Sequence, residues 1–314
     1  MKSRVHPKYK TKYRVGNWSE YDRALVQRGD LTIWISEGAI KSWTPAGTGR
    51  RGGQHRYSDL AIETAITLRL LYHLPLRQAE GFLRSILVLM GLDLEAPDHT
   101  TLSRRSRDLD VDLRTAGLRR GRHLIVDSTG LSVVGQGEWA AAKHGGSGVR
   151  GWKKLHLGVD ENGQIVAEVL TESNADDGGT VPELVDQIDG RVRRFVADAA
   201  YDQRSVYEVG KAGGAVIVVP PSSASVAARK SRAHHPARDR VVAHVRRVGL
   251  RTWKKDRGWH QQARAENTVF RYKRIIGPAL RARDPGGQQV EARLACSVLN
   301  RMMEMGRPAS YAVR

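Results

Sequence analysis

The chain has 314 residues, 40% of them hydrophobic, which allows one large domain or two ordinary ones around a buried core. Its 52 Lys and Arg against 33 Asp and Glu give a formal charge of +19, spread along the chain, and point to a polyanionic partner, DNA or RNA. The lone Cys296 excludes disulfide scaffolds and cysteine-rich zinc sites and suits a reducing cytoplasm, while no apolar run approaches membrane-spanning length.

The first dozen residues, "MKSRVHPKYKTK", are basic and aperiodic and read as a flexible arm. Short helices follow in "NWSEYDRALVQRG", where Ser19 and Asp22 have capping-box spacing and Gly29 supplies a stop. The Gly/Arg-rich "TPAGTGRRGGQHR" separates these from a strong helical pattern that begins at the N-cap Ser58 and resumes from Arg77 to Leu94. After "EAPDH" a basic helix starts near Thr100. The arrangement suits a helix-turn-helix with Arg104 and Arg105 available to phosphates or base edges, against the competing reading of a solvated arginine face.

Beyond residue 121 the texture turns to strands: "HLIVDSTGLSVV", "KLHLGVD" and "IVAEVLT", the last two joined by an Asn162-Gly163 hairpin turn. A helix in "DDGGTVPELVDQI", a strand in "RRFVADA", a helix near "QRSVYEVGKAG" and a strand in "AVIVVP" continue the series. Three antiparallel strands followed by alternating helix and strand predict an α/β fold with a mixed sheet flanked by helices, arranged as in ribonuclease H. We expect an all-α DNA-binding region over 1–120, a catalytic domain over 121–285 and a C-terminal helix over 286–314. Residues about 221–264 form a basic insertion that faces DNA or orders on binding it.

Two carboxylates interrupt apolar strands, Asp127 in "HLIVDSTGL" and Asp198 in "RRFVADAAYD". In this topology they lie on neighbouring strands at the sheet centre, where like charges disfavour each other's ionisation unless a hard cation such as Mg²⁺ offsets them. Glu266, in "AENTVFRYK", supplies a third acid on a helix expected to pack Val269, Phe270 and Ile276 against the sheet. Lys273 follows two turns along the same face, suited to a phosphate, and Arg271 and Arg274 extend the basic surface. Asp176, Asp177 and Asp202 read instead as cap or first-turn acids of the helices they precede.

These three blocks, in this order, resemble the catalytic blocks of DDE transposases of bacterial insertion sequences. The amino-terminal "KYKTKYRVGNWSEYDRALVQRGDLTIWI" and the carboxy-terminal helix resemble the insertion-sequence-five family within an insertion-sequence-four-like superfamily. The resemblance implies a ribonuclease-H-like catalytic domain with Asp127, Asp198 and Glu266 as ligands of two Mg²⁺ ions, Mn²⁺ being the alternative ion, and Tyr201 in a D-x-x-Y element. In the superfamily's Tyr-x2-Arg-x3-Glu-x6-Lys signature, Glu266 and Lys273 match, while Trp259 and Gln262 stand where Tyr and Arg are usual.

The "GSGVRG" stretch at 146–151 matches a dinucleotide fingerprint but lacks its strand and helix context, so it reads as a mobile basic loop, continued by Lys153 and Lys154. Trp253 and Trp259 could stack on an unpaired base, with ordinary packing as the competing reading. The expected function is that of a DNA transposase that binds terminal inverted repeats as a dimer or larger synaptic assembly in the bacterial cytoplasm, at the nucleoid. It would cut each end to a 3′ hydroxyl and join that end to target DNA. The alternatives are a ribonuclease-H-like nuclease without strand transfer and a non-catalytic DNA-binding regulator.

Overall fold

The structure, a computed structural model, describes residues 13–46, 54–113, 122–134, 151–222 and 235–313. The basic arm, most of the Gly/Arg linker and nearly all of the "GSGVRG" loop lie outside the described residues. A short strand β1 (Tyr13–Val15) pairs antiparallel with β8 (Ser310–Ala312), bringing the two ends of the described chain together.

Between them the amino-terminal part is helical: α1 (Trp18–Gln27), α2 (Leu31–Trp34), α3 (Glu37–Lys41), α4 (Asp59–Leu71), α5 (Leu76–Leu89) and α6 (His99–Arg105). Ser58 caps α4 as expected, its hydroxyl accepting from the Ala61 amide at 3.1 Å. Ser19 instead lies inside α1, whose N-cap is Asn17; the Asn17 side chain binds the Arg307 carbonyl and the Ala309 amide across the β1–β8 junction. The connection between α5 and α6 covers residues 90–98, longer than the tight turn of a helix-turn-helix. Asp98 ends it by accepting from both the Thr100 and Thr101 amides at 2.9 Å.

The sheet is built around β2 (Arg122–Val133), its longest strand, with β3 (Trp152–Val159), β4 (Ile165–Glu172), β5 (Val192–Val196) and β6 (Val216–Val218) in the order β4-β3-β2-β5-β6. β4, β3 and β2 are mutually antiparallel, and β5 and β6 run parallel to β2. The short β7 (Ala279–Leu280) adds to the far end of β2, pairing Ser132 with Ala279 and Val133 with Leu280. The β3–β4 turn forms at Asn162-Gly163, with Gly163 at φ +83° and the Asp160 carboxylate accepting from the Asn162 and Gln164 amides. This is the mixed, ribonuclease-H-like α/β sheet that the order of elements predicts.

Alternation along β2 sends its odd and even residues to opposite faces. Leu124 and Val126 join one core with α7 (Val181–Asp186) and α8 (Arg204–Gly213), through Leu184, Val206 and Phe195. Ile125 and Leu131 join the other, larger core under α11 (Ala263–Ile275) and α12 (Pro285–Met305). That second core also takes in Trp34, Leu68 and Leu83, so the amino-terminal helices and the sheet share one apolar interior. The buried Asn300 fastens α12 to β4: its amide nitrogen donates to Leu113 and Ile165 carbonyls, and its oxygen accepts from the Ile165 amide.

The basic insertion is helical where it is described, as α9 (Pro236–Val248) and α10 (Leu250–Asp256); residues 223–234 lie outside the described residues. It is anchored by a buried pair in which Arg238 Nε and Nη2 each donate to an Asp202 carboxylate oxygen at 2.9 Å. Asp202 also accepts from the Tyr207 hydroxyl and the Ser222 amide. It is therefore a tertiary anchor and not the helix cap expected from its position, because N-capping of α8 falls to Gln203.

Candidate active site

Asp127 lies midway along β2 on the face it shares with Ile125 and Leu131, under α11. Asp198 follows β5 directly, next to β2 in the sheet, and Glu266 sits in the first turn of α11. The two aspartates are fixed the same way: Asp127 Oδ1 accepts from the Ser128 amide at 2.8 Å and Asp198 Oδ1 from the Ala200 amide at 3.0 Å. Among the described residues, the second oxygen of each accepts from no backbone amide.

Burial pushes the Asp127 carboxyl up to about 6; the Ser128 amide opposes this, while the carboxylates of Asp198, Glu266 and Asp177 push it further. The chain thus brings the three expected acids into electrostatic contact, together with a fourth. Asp177 stands at the N-cap position expected of it, before a 3-10 turn, but its side chain makes no cap hydrogen bond and turns to β3, 3.3 Å from Lys154 Nζ and 3.4 Å from His156 Nδ1, with its charge acting on Asp127. His156 is itself buried, and desolvation lowers it to about 4, so it is neutral there. Asp176 does behave as a cap, accepting from the Gly179 amide. The role of Asp177 was not legible locally, since nothing in "NADDGG" shows which carboxylate turns toward β3.

Tyr201 is fully buried, and burial first, then Asp177, Asp127 and Asp198, raises its hydroxyl far above the ordinary range; it lies beside Ser128. It lines the cluster from within, not as an exposed DNA contact. Among the described residues no three His, Cys, Asp or Glu side chains close into a metal cage. The acids form an open group. Its oxygen-only donors and unbalanced negative charge suit a hard divalent cation better than a soft one.

Trp259 and Gln262 hold this group in place. Trp259 Nε1 donates to the Ala197 carbonyl at 3.0 Å, and Gln262 Nε2 donates to the Val126 carbonyl at 3.0 Å. Ala197 and Val126 are the residues just before Asp198 and Asp127. These two side chains therefore tie the segment leading into the Glu266 helix to the chain just before each aspartate.

Several expected DNA contacts are placed elsewhere. Trp253 is buried, with an exposure of 1%, and cannot stack on a base; Trp259 is half-buried with the Lys254 ammonium 3.7 Å from its ring centre. Arg271 turns to α12, donating to the Leu299 carbonyl, and Arg105 is bound to Asp59 and the Tyr57 carbonyl. Lys153 pairs with Glu172, and Lys154 with Asp177 and the Ala175 carbonyl. Arg104, Lys273 and Arg274 are exposed. Phe270 does not pack on the sheet: it is 67% exposed, and α11 buries Ala265, Thr268 and Tyr272, which recur at helical spacing.

A ribonuclease-H-like sheet carrying acids on β2, after β5 and on a covering helix defines a class of enzymes that act on phosphodiesters. Two family models, each described as a transposase DDE domain, match residues 26–136 and 119–301, the second spanning more than half of the chain. The chain belongs to the family of transposases with a DDE domain.

Proposed function

We propose that the chain is a transposase of the insertion-sequence-five type that binds the terminal inverted repeats of its own element and cuts and joins DNA there. Residues 1–120 would contact DNA, 121–285 would carry the chemistry with 221–264 as a basic insertion, and 286–314 would brace the fold through α12. Two copies or more would act together, since two ends must be joined. The action on DNA would take place in the bacterial cytoplasm, at the nucleoid. The observation that carries this reading is the placement of Asp127 on β2, Asp198 just after the neighbouring β5 and Glu266 in the first turn of the covering α11, close enough for both other carboxylates to act on the buried Asp127.

Asp127, Asp198 and Glu266 would hold divalent ions, Mg²⁺ first and two in number, with Asp177 at the margin of the set. When bound, such ions sharpen a water nucleophile and spread the charge that builds on phosphate. The protein's share is positional. The backbone amides of Ser128 and Ala200 fix one oxygen of each aspartate, so the other would be available to a divalent ion without a rotamer search. Water attacks phosphorus, the P–O3′ bond breaks, and the 3′ oxygen leaves as a hydroxyl. That hydroxyl then attacks a target phosphate and displaces a target 3′ oxygen, conserving the number of phosphodiester bonds. Lys273, exposed two turns from Glu266, would steady a phosphate.

The test is incubation of the purified protein with labelled end DNA, a plasmid and Mg²⁺. Covalent joining of the 3′ end to plasmid is the expected result. Cutting without joining would leave a nuclease, and salt-sensitive binding without cutting would leave a regulator.

A further inference from the structure

Two cavities adjoin at the seam between the amino-terminal helices and the sheet, sharing Pro75, Leu76 and Ser103. One, of about 610 Å³, opens between α4, the residues after α6 and the amino terminus of α12; the other, of about 630 Å³, continues along α5 and α6. Arg69, Arg107, Arg281 and Arg283 line the first, and Arg77 and Arg104 the second. Among the described residues, the one acid in either lining is Asp284, already occupied as the cap of α12.

The cations of this trough are poorly neutralised. Arg69 and Arg107 have acid partners only at 3.8 Å, Glu291 and Asp284, and the Glu291 carboxylate also accepts from the Arg281 and Ala282 amides. Arg77, Arg104, Arg281 and Arg283 make no ion pair among the described residues. The positive end of the 21-residue α12 opens into the same space.

Position gives the trough its meaning. Asp127 lies on the face of β2 that α11 covers, and β2 then runs to Val133, which pairs with Leu280, the residue before Arg281, while α12 packs on β7 and α4. Asp127 and Val133 are six residue steps apart along the strand, roughly 20 Å at about 3.3 Å each. At about 3.4 Å per base pair this is about six base pairs of duplex.

Resting on the transposase reading, we propose that this trough holds backbone phosphates of the transposon-end duplex, about six base pairs from the phosphate cut at Asp127. Arg281 and Arg283 grip the strand nearest the sheet, and Arg77 and Arg104 continue the track on the helical side. The contact is with phosphate, so it sets register and affinity, not sequence.

The experiment titrates the wild-type protein and R281A/R283A with a duplex that ends at the terminus of the element encoding the chain, over a series of KCl concentrations. R193A/K211A, which removes two exposed charges outside the amino-terminal region, the basic insertion and the trough, is the control, and R77Q/R104Q tests the opposite wall should the first variant fold poorly. The trough variants should lower the salt slope of log affinity by about two relative to wild type and control. Ethylating phosphates about six base pairs from the cut should weaken the wild type and not R281A/R283A. Slopes equal to the control, with interference retained, would overturn the trough while leaving the transposase reading intact. A wild-type protein that binds with the expected slope but never cuts that end would overturn the reading instead.

Discussion

The indole nitrogen of Trp259 donates to the carbonyl oxygen of Ala197 at 3.0 Å, one residue before Asp198. Gln262 makes the matching bond to the residue before Asp127. Both bonds are part-buried or buried and join the approach to the Glu266 helix to the strands beneath it, so they set the relative position of all three acids. W259F keeps an aromatic ring, though a smaller one, and removes the donor; Q262L keeps most of the volume and removes the amide. Each should cost about 1 kcal/mol of stability yet slow single-turnover cleavage at least tenfold and raise the divalent-ion concentration needed for half-maximal rate. End-DNA affinity should stay unchanged. A loss of rate that tracks only the fraction unfolded would refute the positioning role.

Asp127 supplies a pH test that needs no DNA. Its folded value of about 6 lies above the ordinary 3.8, so the native state holds its proton more tightly than the unfolded chain does. Stability contributed through this group is therefore lost as pH rises from about 4 to about 6 and stays lost above. Removing the charge with D127N should stabilise the ion-free protein at pH 7 by roughly 1 kcal/mol, discounted for solvent screening, and leave it unchanged at pH 4. Thermal melts at the two pH values decide this; an equal gain at both would show that the effect is packing, not charge.

Mg²⁺ should raise the melting temperature of the wild-type protein more at pH 7 than at pH 5, because near pH 5 the ion competes with the proton on Asp127. D127N, D198N and E266Q should each flatten that response. The same three variants should abolish end cleavage while binding end DNA within a few-fold of wild type.

The Arg238–Asp202 pair fastens α9 to the core with both groups almost fully buried. R238A leaves the Asp202 carboxylate without its cation and should cost about 3–5 kcal/mol in urea unfolding. The double variant R238A/D202A should recover part of that loss, since it leaves no unpaired buried charge.

What the sequence made legible was local. Apolar alternation marks β2 to β4, Asn162-Gly163 marks their turn, and Ser58 marks the start of α4, because each depends on neighbours a few residues away. Asp127, Asp198 and Glu266 stood out as acids set in a chain pattern, and their convergence then followed from strand order. Asp177, Trp259 and Gln262 were not legible as neighbours of the acids, since their partners lie on β2, β3 or after β5 and no spacing encodes those contacts. Phe270 reversed expectation because hydrophobicity alone does not say which side of a helix meets the core, and Trp253 took the packing reading and not the base-stacking one. The α11 helix buries a threonine and a tyrosine and turns its phenylalanine outward.

The most direct test of the account is an anomalous-scattering map of crystals grown with end DNA and Mn²⁺. The account predicts metal density within roughly 2.1–2.2 Å of carboxylate oxygens from Asp127, Asp198 and Glu266, at the phosphate to be cut. Density bound elsewhere, or any one of these three side chains turned away from it, would contradict the account.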